Sequence, residues 1–117
     1  MDGELLDGTI ARAVAELAFA SVRGMVVYVD RVVRGPGEIV CGSRTVHCDR
    51  PCVIVFRDEQ PGANWMHACS YGLVDPERLI VRQRWADDRP PVFGLLPETW
   101  VVASDPDKLA DLVRVGE

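Results

Sequence analysis

Basic residues, export signals and long apolar runs are all scarce in this 117-residue chain. Its 18 acidic residues outnumber its 13 basic ones, which gives a formal charge of −5 at pH 7. Nucleic-acid-binding domains usually carry a basic face, so this balance argues against nucleic acid as a partner. The longest apolar runs, such as residues 25–29, fall far short of the roughly 20 residues that span a bilayer. We therefore expect neither a nucleic-acid nor a membrane partner.

Signals for export and for phosphate binding are also missing. The first seven residues are acidic and lack the positive segment with which a signal peptide begins. We therefore expect a cytoplasmic protein with its four cysteines as reduced thiols. The stretch 35–37 lacks both the following helix and the Lys-Ser/Thr pair of a phosphate-binding loop.

The composition is that of a soluble globular domain. Hydrophobic residues make up 48% and charged residues 26% of the chain, which is enough apolar material for a core. The sequence shows no internal repeat, low-complexity tract or linker. We predict a single domain over residues 1–117.

Residues 1–24 predict an amphipathic helix that covers one face of a sheet. Asp2 or Asp7 suits the start of this helix, and Gly24 suits the residue that follows its end. Numerous alanines favour a close approach to the sheet. The predicted apolar stripe, at helical spacing, consists of Leu6, Ile10, Ala13, Val14, Leu17 and Ser21.

From residue 25 the apolar pattern changes to a period of two, which indicates strands. The predicted strands are 25–33, 38–41, 44–48, 52–57, 65–74, 79–85, 92–95 and 99–103. The connections are too short for parallel crossovers, so the sheet is antiparallel. Asp105 followed by Pro106 predicts a final helix that extends to about Val113. The fold class is therefore α+β: an N-terminal helix on an antiparallel meander, as a roll or partly open barrel, with a short C-terminal helix.

A hairpin at Gly42-Ser43 is the most specific local prediction. Glycine first in a two-residue loop is typical of a type II′ turn. This turn sets Cys41 opposite Arg44, Val40 opposite Thr45 and Glu38 opposite His47.

All four cysteines and both histidines lie between Cys41 and Cys69. The predicted strand 65–74 puts His67, Cys69 and Tyr71 on one face with Trp65, and smaller side chains on the other. If the helix covers the small-residue face, His67, Cys69 and Tyr71 line a possible ligand pocket. If it covers the other face, they belong to the core.

Two chemical alternatives use this segment. One possible zinc ligand set consists of Cys48, Cys52, His67 and Cys69. If Arg57 pairs with Trp65 or Met66 in the predicted hairpin, Cys52 comes near Cys69. The set lacks Cys-x2-Cys spacing, and we predict no metal and no cofactor. Cys69 is also a possible nucleophile with His67 or His47 as base and Asp75 or Asn64 as orienting group, although no helix N-terminus near Cys69 would lower its pKa.

The leading prediction is a non-catalytic accessory domain that binds a protein partner or a second copy of itself. Two loops rich in proline adjoin the same hairpin end, and their aromatic residues match the composition of interaction hot spots. The acidic clusters 58–59 and 87–88 are interpreted as solvated turn residues. The predicted partner-binding residues are Trp65, Trp85, Asn64, Arg82 and Arg84.

Overall fold

The computed structural model describes residues 3–63, 66–91 and 97–110, and its centre is an open antiparallel sheet. Within these residues, one helix, α1, precedes seven strands. In chain order, these elements are α1 Gly8–Ala18, β1 Val26–Asp30, β2 Gly37–Cys41, β3 Arg44–Cys48, β4 Val53–Asp58, β5 Cys69–Asp75, β6 Ile80–Asp87 and β7 Trp100–Ser104. Five strands form the main sheet in the order β6-β5-β4-β1-β7, and β2 pairs with β3 in a separate hairpin. The predicted α+β class with an antiparallel sheet is confirmed.

The central strands of the main sheet are covered on both faces, which explains why β1 and β5 are buried along their whole length. Helix α1 packs on one face against valines of β1 and β4. The β2–β3 hairpin packs on the other face, where its Ile39, Cys41, Val46 and Cys48 meet the aromatic residues of the sheet. Strands buried on both sides are apolar at most consecutive positions, and in these two strands the exceptions are Asp30, Ser70 and Asp75.

Helix α1 turns a different face to the sheet from the predicted stripe. Its buried residues are Ala11, Val14, Ala15 and Ala18, whereas Ile10 and Leu17 are 53% and 45% exposed. The cause is Gly72 on β5, where an added Cβ would lie 2.9 Å from the Cβ of Ala18. The helix approaches so closely that small side chains fit this contact and large ones do not.

The helix also ends earlier than its sequence pattern suggests. It starts where the Asp7 side chain accepts a hydrogen bond from the Thr9 N–H at 2.9 Å, and it ends at Ala18 rather than near Gly24. Phe19 is already extended, with φ −141° and ψ 118°. The sheet beyond Ala18 is therefore not covered by the helix.

The hairpin register is confirmed. Cys41 pairs with Arg44, Val40 with Thr45, and Glu38 with His47. Gly42 has φ +62°, a left-handed conformation that glycine adopts without strain.

Strand β5 corrects the prediction for residues 65–74. It begins at Cys69, and its partners are Arg57 opposite Ser70 and Asp58 opposite Cys69, whereas the predicted partner of Arg57 was Trp65 or Met66. Residues 66–68 lie in the preceding loop because His67 bonds the side chain of Asp58 and Ala68 O accepts the Glu59 N–H. These loop contacts take the place of the strand ladder.

The remaining strands differ from prediction mainly at their ends. Strand β6 runs to Asp87 and follows a turn in which Leu79 has φ +60°. Its pairing with β5 shifts register between Leu73 and Val74, which marks a bulge. The predicted strand 92–95 lies outside the described residues.

The C-terminal helix does not begin at Pro106 as predicted. Residues 105–109 form turns, and Lys108 has φ +56°, which is incompatible with a helix at that position. The Asp105 carboxylate accepts hydrogen bonds from the N–H groups of Leu109 and Ala110 at 2.7 and 2.9 Å. Residues 111–117, which the predicted helix includes in part, lie outside the described residues.

Among the residues described, no helix combines the length and apolar character needed to cross a membrane.

Candidate functional site: a braced loop rim

Two loops meet at one end of the main sheet and form what we call the loop rim: residues 59–63 and 66–68 between β4 and β5, and residues 88–91 after β6. The His67 N–H donates a hydrogen bond to the Asp88 carbonyl at 2.9 Å and joins the two loops. Beneath the rim lies the last row of the sheet, in which Asp58, Cys69 and Asp87 stand side by side. The meeting of these two loops was expected from the hairpin order.

Three sets of side-chain hydrogen bonds, which we call braces, hold the rim loops in place. The first brace is formed by Asp58 and His67. His67 Nε2 lies 2.8 Å from Asp58 Oδ1, and both side chains are only 7% exposed. The same carboxylate oxygen accepts the Gln60 N–H at 3.0 Å. Burial raises the pKa of Asp58, while the bonds from Gln60 and His67 act in the opposite direction. The pair holds the beginning and the end of one loop together.

Asp87 is the second brace and binds three segments at once. Its Oδ2 accepts hydrogen bonds from Trp85 Nε1 at 3.0 Å and from the Ser43 N–H and Oγ–H at 3.1 and 2.9 Å. Its Oδ1 accepts the N–H groups of Asp88 and Arg89 at 2.8 and 3.0 Å. Burial raises the pKa of Asp87, but these bonds outweigh burial and hold it well below its ordinary value. Asp87 thus fastens the hairpin tip and the second rim loop to β6.

Tyr71 is the third brace and reaches the rim from the core. Its hydroxyl donates to the Arg89 carbonyl at 2.6 Å, and its ring packs between Phe56 and Trp85 at centroid distances of 5.3 and 5.6 Å. The side chain is fully buried, and burial raises the pKa of Tyr71. The phenol therefore acts as a neutral hydrogen-bond donor.

His67, Cys69 and Tyr71 do not form the open wall that the sequence suggested. The helix does cover the small-residue face of β5, which includes Gly72. However, the β2–β3 hairpin covers the opposite face, so Cys69 and Tyr71 have no exposed surface. His67 lies in the loop before the strand rather than on it.

The four proposed zinc ligands are not brought together. Cys52 precedes Val53, which pairs with Val74, whereas Cys69 pairs with Asp58 at the other end of the same ladder. Five residue steps along a strand correspond to about 17 Å. Among the described residues, no three His, Cys, Asp or Glu side chains are arranged to hold a metal ion.

The cysteines are buried thiols rather than activated nucleophiles. Cys41, Cys48, Cys52 and Cys69 are all free and buried. Burial raises the pKa of Cys41, Cys52 and Cys69 from 9.0 to about 12 in each case. Two other members of the proposed catalytic group lie away from Cys69: His47 is on the exposed side of the hairpin, and Asp75 is at the far end of β5. His67 bonds Asp58, and Asn64 lies outside the described residues.

We expect all four thiols to resist alkylation in the folded protein. A pKa of about 12 leaves Cys41, Cys52 and Cys69 almost entirely as neutral thiols at pH 7, and burial adds a steric barrier at all four cysteines. Iodoacetamide labelling at pH 7 followed by intact mass measurement checks this, with the protein in urea as the control in which four adducts form. One thiol that labels as fast as free cysteine would contradict the expectation and favour the thiol-enzyme alternative.

The predicted partner-binding residues are placed as follows. Trp85 is 7% exposed and belongs to the core, so it does not form an exposed indole at the rim. Arg82 donates to Asp49 at 3.0 Å and Arg84 to the Ala18 carbonyl at 3.1 Å, both on β6 away from the loops. Asn64 and Trp65 lie outside the described residues. Trp85 is covered because it shares a sheet face with Tyr71, on the hairpin side.

Sequence reasoning missed the carboxylates that brace the rim. Asp58 and Asp87 were interpreted as solvated turn residues, yet each ends a strand and accepts the N–H of the residue two positions later. An aspartate at a strand end, followed by a turn, is a signal for this local contact. The sequence contained that signal, but not the distant donors His67 and Ser43.

Comparison of the chain with protein-family models, with curated proteins and with solved structures finds no match.

Proposed function

We propose that this chain is a small non-catalytic interaction domain that binds a protein partner through the loop rim. The observation that carries the proposal is the bracing of two loops from below by Asp58, His67, Asp87 and Tyr71. A polar group beneath a loop is tolerated only when its hydrogen bonds are satisfied, and a loop without a role needs no such groups.

Bracing of the loops lowers the conformational entropy that is lost on binding. Free loops lose conformational entropy when a partner orders them, and this loss subtracts from affinity. In the rim, the backbone is held by side-chain contacts at both ends, and Pro61, Pro90 and Pro91 restrict it further. A surface prepared in this way suits the recognition of another folded surface.

The exposed groups of the rim favour a protein over other partners. Met66 is 53% exposed and supplies an adaptable apolar contact. Asp88 and Arg89 are exposed on the other rim loop with opposite charges, so the described part of the rim lacks the uniform charge that nucleic acid or an anionic membrane requires. Asn64 and Trp65 directly precede Met66 in sequence and are included in the proposed surface.

The test is a quantitative pull-down from a lysate of cells that encode the chain. The bait variants are Met66→Arg and Trp65→Ala, and the matched control is Val40→Arg, at a residue 76% exposed on the β2 strand of the hairpin. We expect a partner captured by the unchanged chain and by the control, with about tenfold or greater loss for the rim variants, as for a hot-spot residue. Mass spectrometry identifies the partner, including a second copy of this chain.

The proposal is refuted if every specific partner survives both rim variants. Circular dichroism spectra of the variants show whether a loss of capture reflects the surface rather than unfolding.

A further inference from the structure

A pocket opens on the helix side of the main sheet, just beyond the end of α1. Arg57, Ser70 and Ala86 form a row across β4, β5 and β6. The next row on the same face of the sheet contains Gly72, on which Ala18 packs. Because α1 ends at Ala18, it does not cover the row of Arg57, Ser70 and Ala86. The space left has a volume of about 360 Å³. We call it the sheet-end pocket.

Arg57 is fixed at one side of this pocket. Its Nε and Nη2 donate to Glu59 Oε2 at 3.1 and 2.8 Å, and its guanidinium lies 4.6 Å from the centroid of the Phe19 ring. The side chain is 26% exposed. Arg57 Nη1 forms no hydrogen bond with the described residues, so it remains able to donate to a ligand.

Arg84 supplies the second cation. Its Nη1 donates to the Ala18 carbonyl at 3.1 Å, and its Nε and Nη2 form no hydrogen bond with the described residues. Arg57 has Glu59 as its acidic partner, whereas Arg84 forms no ion pair within the described part of the chain. The pocket therefore holds an uncompensated positive charge on a chain of net charge −5.

The other groups of the pocket limit the charge of a ligand. Ser70 Oγ donates to Glu59 Oε2 at 2.6 Å, so this hydroxyl hydrogen is already used. The bonds from Ser70 and Arg57 outweigh the effect of burial and lower the pKa of Glu59, which keeps it ionised at neutral pH. The ionised Glu59 carboxylate, next to Arg57 and Ser70, repels a dianion such as a phosphate monoester more strongly than a monoanion.

The walls of the pocket select for an apolar group. Phe19, Ala20, Val22 and Ala86 line it together with the two arginines. Guanidinium groups bind carboxylates through paired hydrogen bonds, and small apolar walls bury a short hydrocarbon part.

We propose that the sheet-end pocket binds a carboxylate attached to a small apolar or aromatic group. The ligand is either a free monocarboxylic acid or the C-terminal carboxylate of a peptide. Arg84 and Arg57 bind the carboxylate, and Phe19 and Val22 contact the apolar part. The pocket lies next to the rim and shares Glu59 with it, but the proposal does not depend on the protein-binding role of the rim.

The test is an NMR titration of the full chain, labelled with 15N, with phenylacetate and with its neutral analogue phenylacetamide. We expect saturable shifts of the amide signals of Phe19, Ala20, Ser70 and Ala86 with phenylacetate, and affinity about tenfold lower for the amide, from the loss of charge-assisted bonds. A parallel titration uses acetyl-Ala-Phe as free acid and as amide. Tighter binding of the peptide acid assigns the ligand to a peptide terminus, and tighter binding of phenylacetate assigns it to a free acid.

Two variants and one control identify the site. Arg84→Gln keeps a polar side chain but removes the cation, and Ala86→Leu fills the pocket without changing charge; each is expected to weaken phenylacetate binding about tenfold or more. Arg82→Gln is the control on the same strand, since Arg82 bonds Asp49 outside the pocket. Equal shifts with acid and amide, no saturable shift with either acid, or equal weakening by Arg82→Gln and Arg84→Gln would overturn the proposal.

Discussion

Replacing Gly42 with alanine is expected to lower the free energy of unfolding by about 3 kcal/mol, from the combined cost of overpacking and of a left-handed non-glycine residue. An added Cβ would lie 2.5 Å from Tyr71 Cε2 and 2.7 Å from Asp87 Oδ2. Tyr71 is fully buried and Asp87 is held by several hydrogen bonds, so neither can move aside cheaply. The hairpin tip would have to separate from the sheet.

Urea unfolding followed by tryptophan fluorescence measures this loss. Gly24→Ala is the matched control, because Gly24 has φ +82° but an added Cβ there meets nothing within 4 Å. This control bears the backbone strain alone and is expected to cost about 1 kcal/mol. Similar losses for the two variants would show that the hairpin tip is not packed against Tyr71 and Asp87.

Asp87→Ala is the second substitution with a large expected effect, a loss of about 3 kcal/mol from breaking several hydrogen bonds to one carboxylate. The change leaves Trp85 Nε1 and the Ser43 N–H without their acceptor, and it releases the N–H groups of Asp88 and Arg89. Unpaired donors near the core cost more than the bonds themselves contribute. Chemical denaturation at pH 7 measures the loss. Asp49→Ala, at an ion pair whose aspartate side chain is 75% exposed, should change stability little.

The contribution of Asp87 also depends on pH in a defined direction. Its pKa in the folded protein lies below that of an unfolded aspartate, so the unfolded chain binds more protons between the two values. The stabilisation is complete above the unfolded pKa of about 4 and is lost as the pH falls toward the folded value. Asp87→Asn lacks this dependence, so its stability should fall less than that of the unchanged chain between pH 6 and about pH 3.

Asp58 acts in the opposite direction, since its folded pKa is raised and its contribution decreases as pH rises above the unfolded value. Both proteins contain Asp58, so the difference between them isolates Asp87. Parallel stability curves for the two proteins over this range would contradict the assigned role of the carboxylate.

The hairpin register was predictable from sequence because a two-residue loop leaves no freedom in the pairing. Once Gly42 and Ser43 form the turn, every pair from Cys41 and Arg44 outward follows. The alternation of side chains along β5 from Cys69 onward was predictable for a similar reason, the fixed period of a strand.

The start of β5 and the buried face of α1 depended on partners distant in sequence. His67 leaves the strand because Asp58, nine residues earlier, binds its ring. Alanines rather than Ile10 and Leu17 face the sheet because Gly72 lets the helix approach closely. Neither contact is visible from local periodicity.

The relative position of the two loops was predictable from the sequence, but the burial of Trp85 was not. The two loops that the sequence placed at one end of the sheet do meet there, through His67 and Asp88. The role of Trp85 was misjudged because the sequence did not show that the β2–β3 hairpin covers its face of the sheet. A residue that looks suited to a surface becomes part of the core when a second layer folds over it.

The bulge in β6 and the arginines along this strand have a consequence for self-assembly. Within the described sheet β6 is an outer strand, and its register shift falls at Arg82, between Val81 and Gln83. A flat outer strand with free peptide groups is a template for amyloid-like polymerisation, and bulges and charged side chains are common protections against it. If the β6 strands of two molecules paired edge to edge, Arg82 and Arg84 of one molecule would lie near the same arginines of the other, and like charges would repel. The irregular end of the sheet thus favours discrete molecules over fibrils.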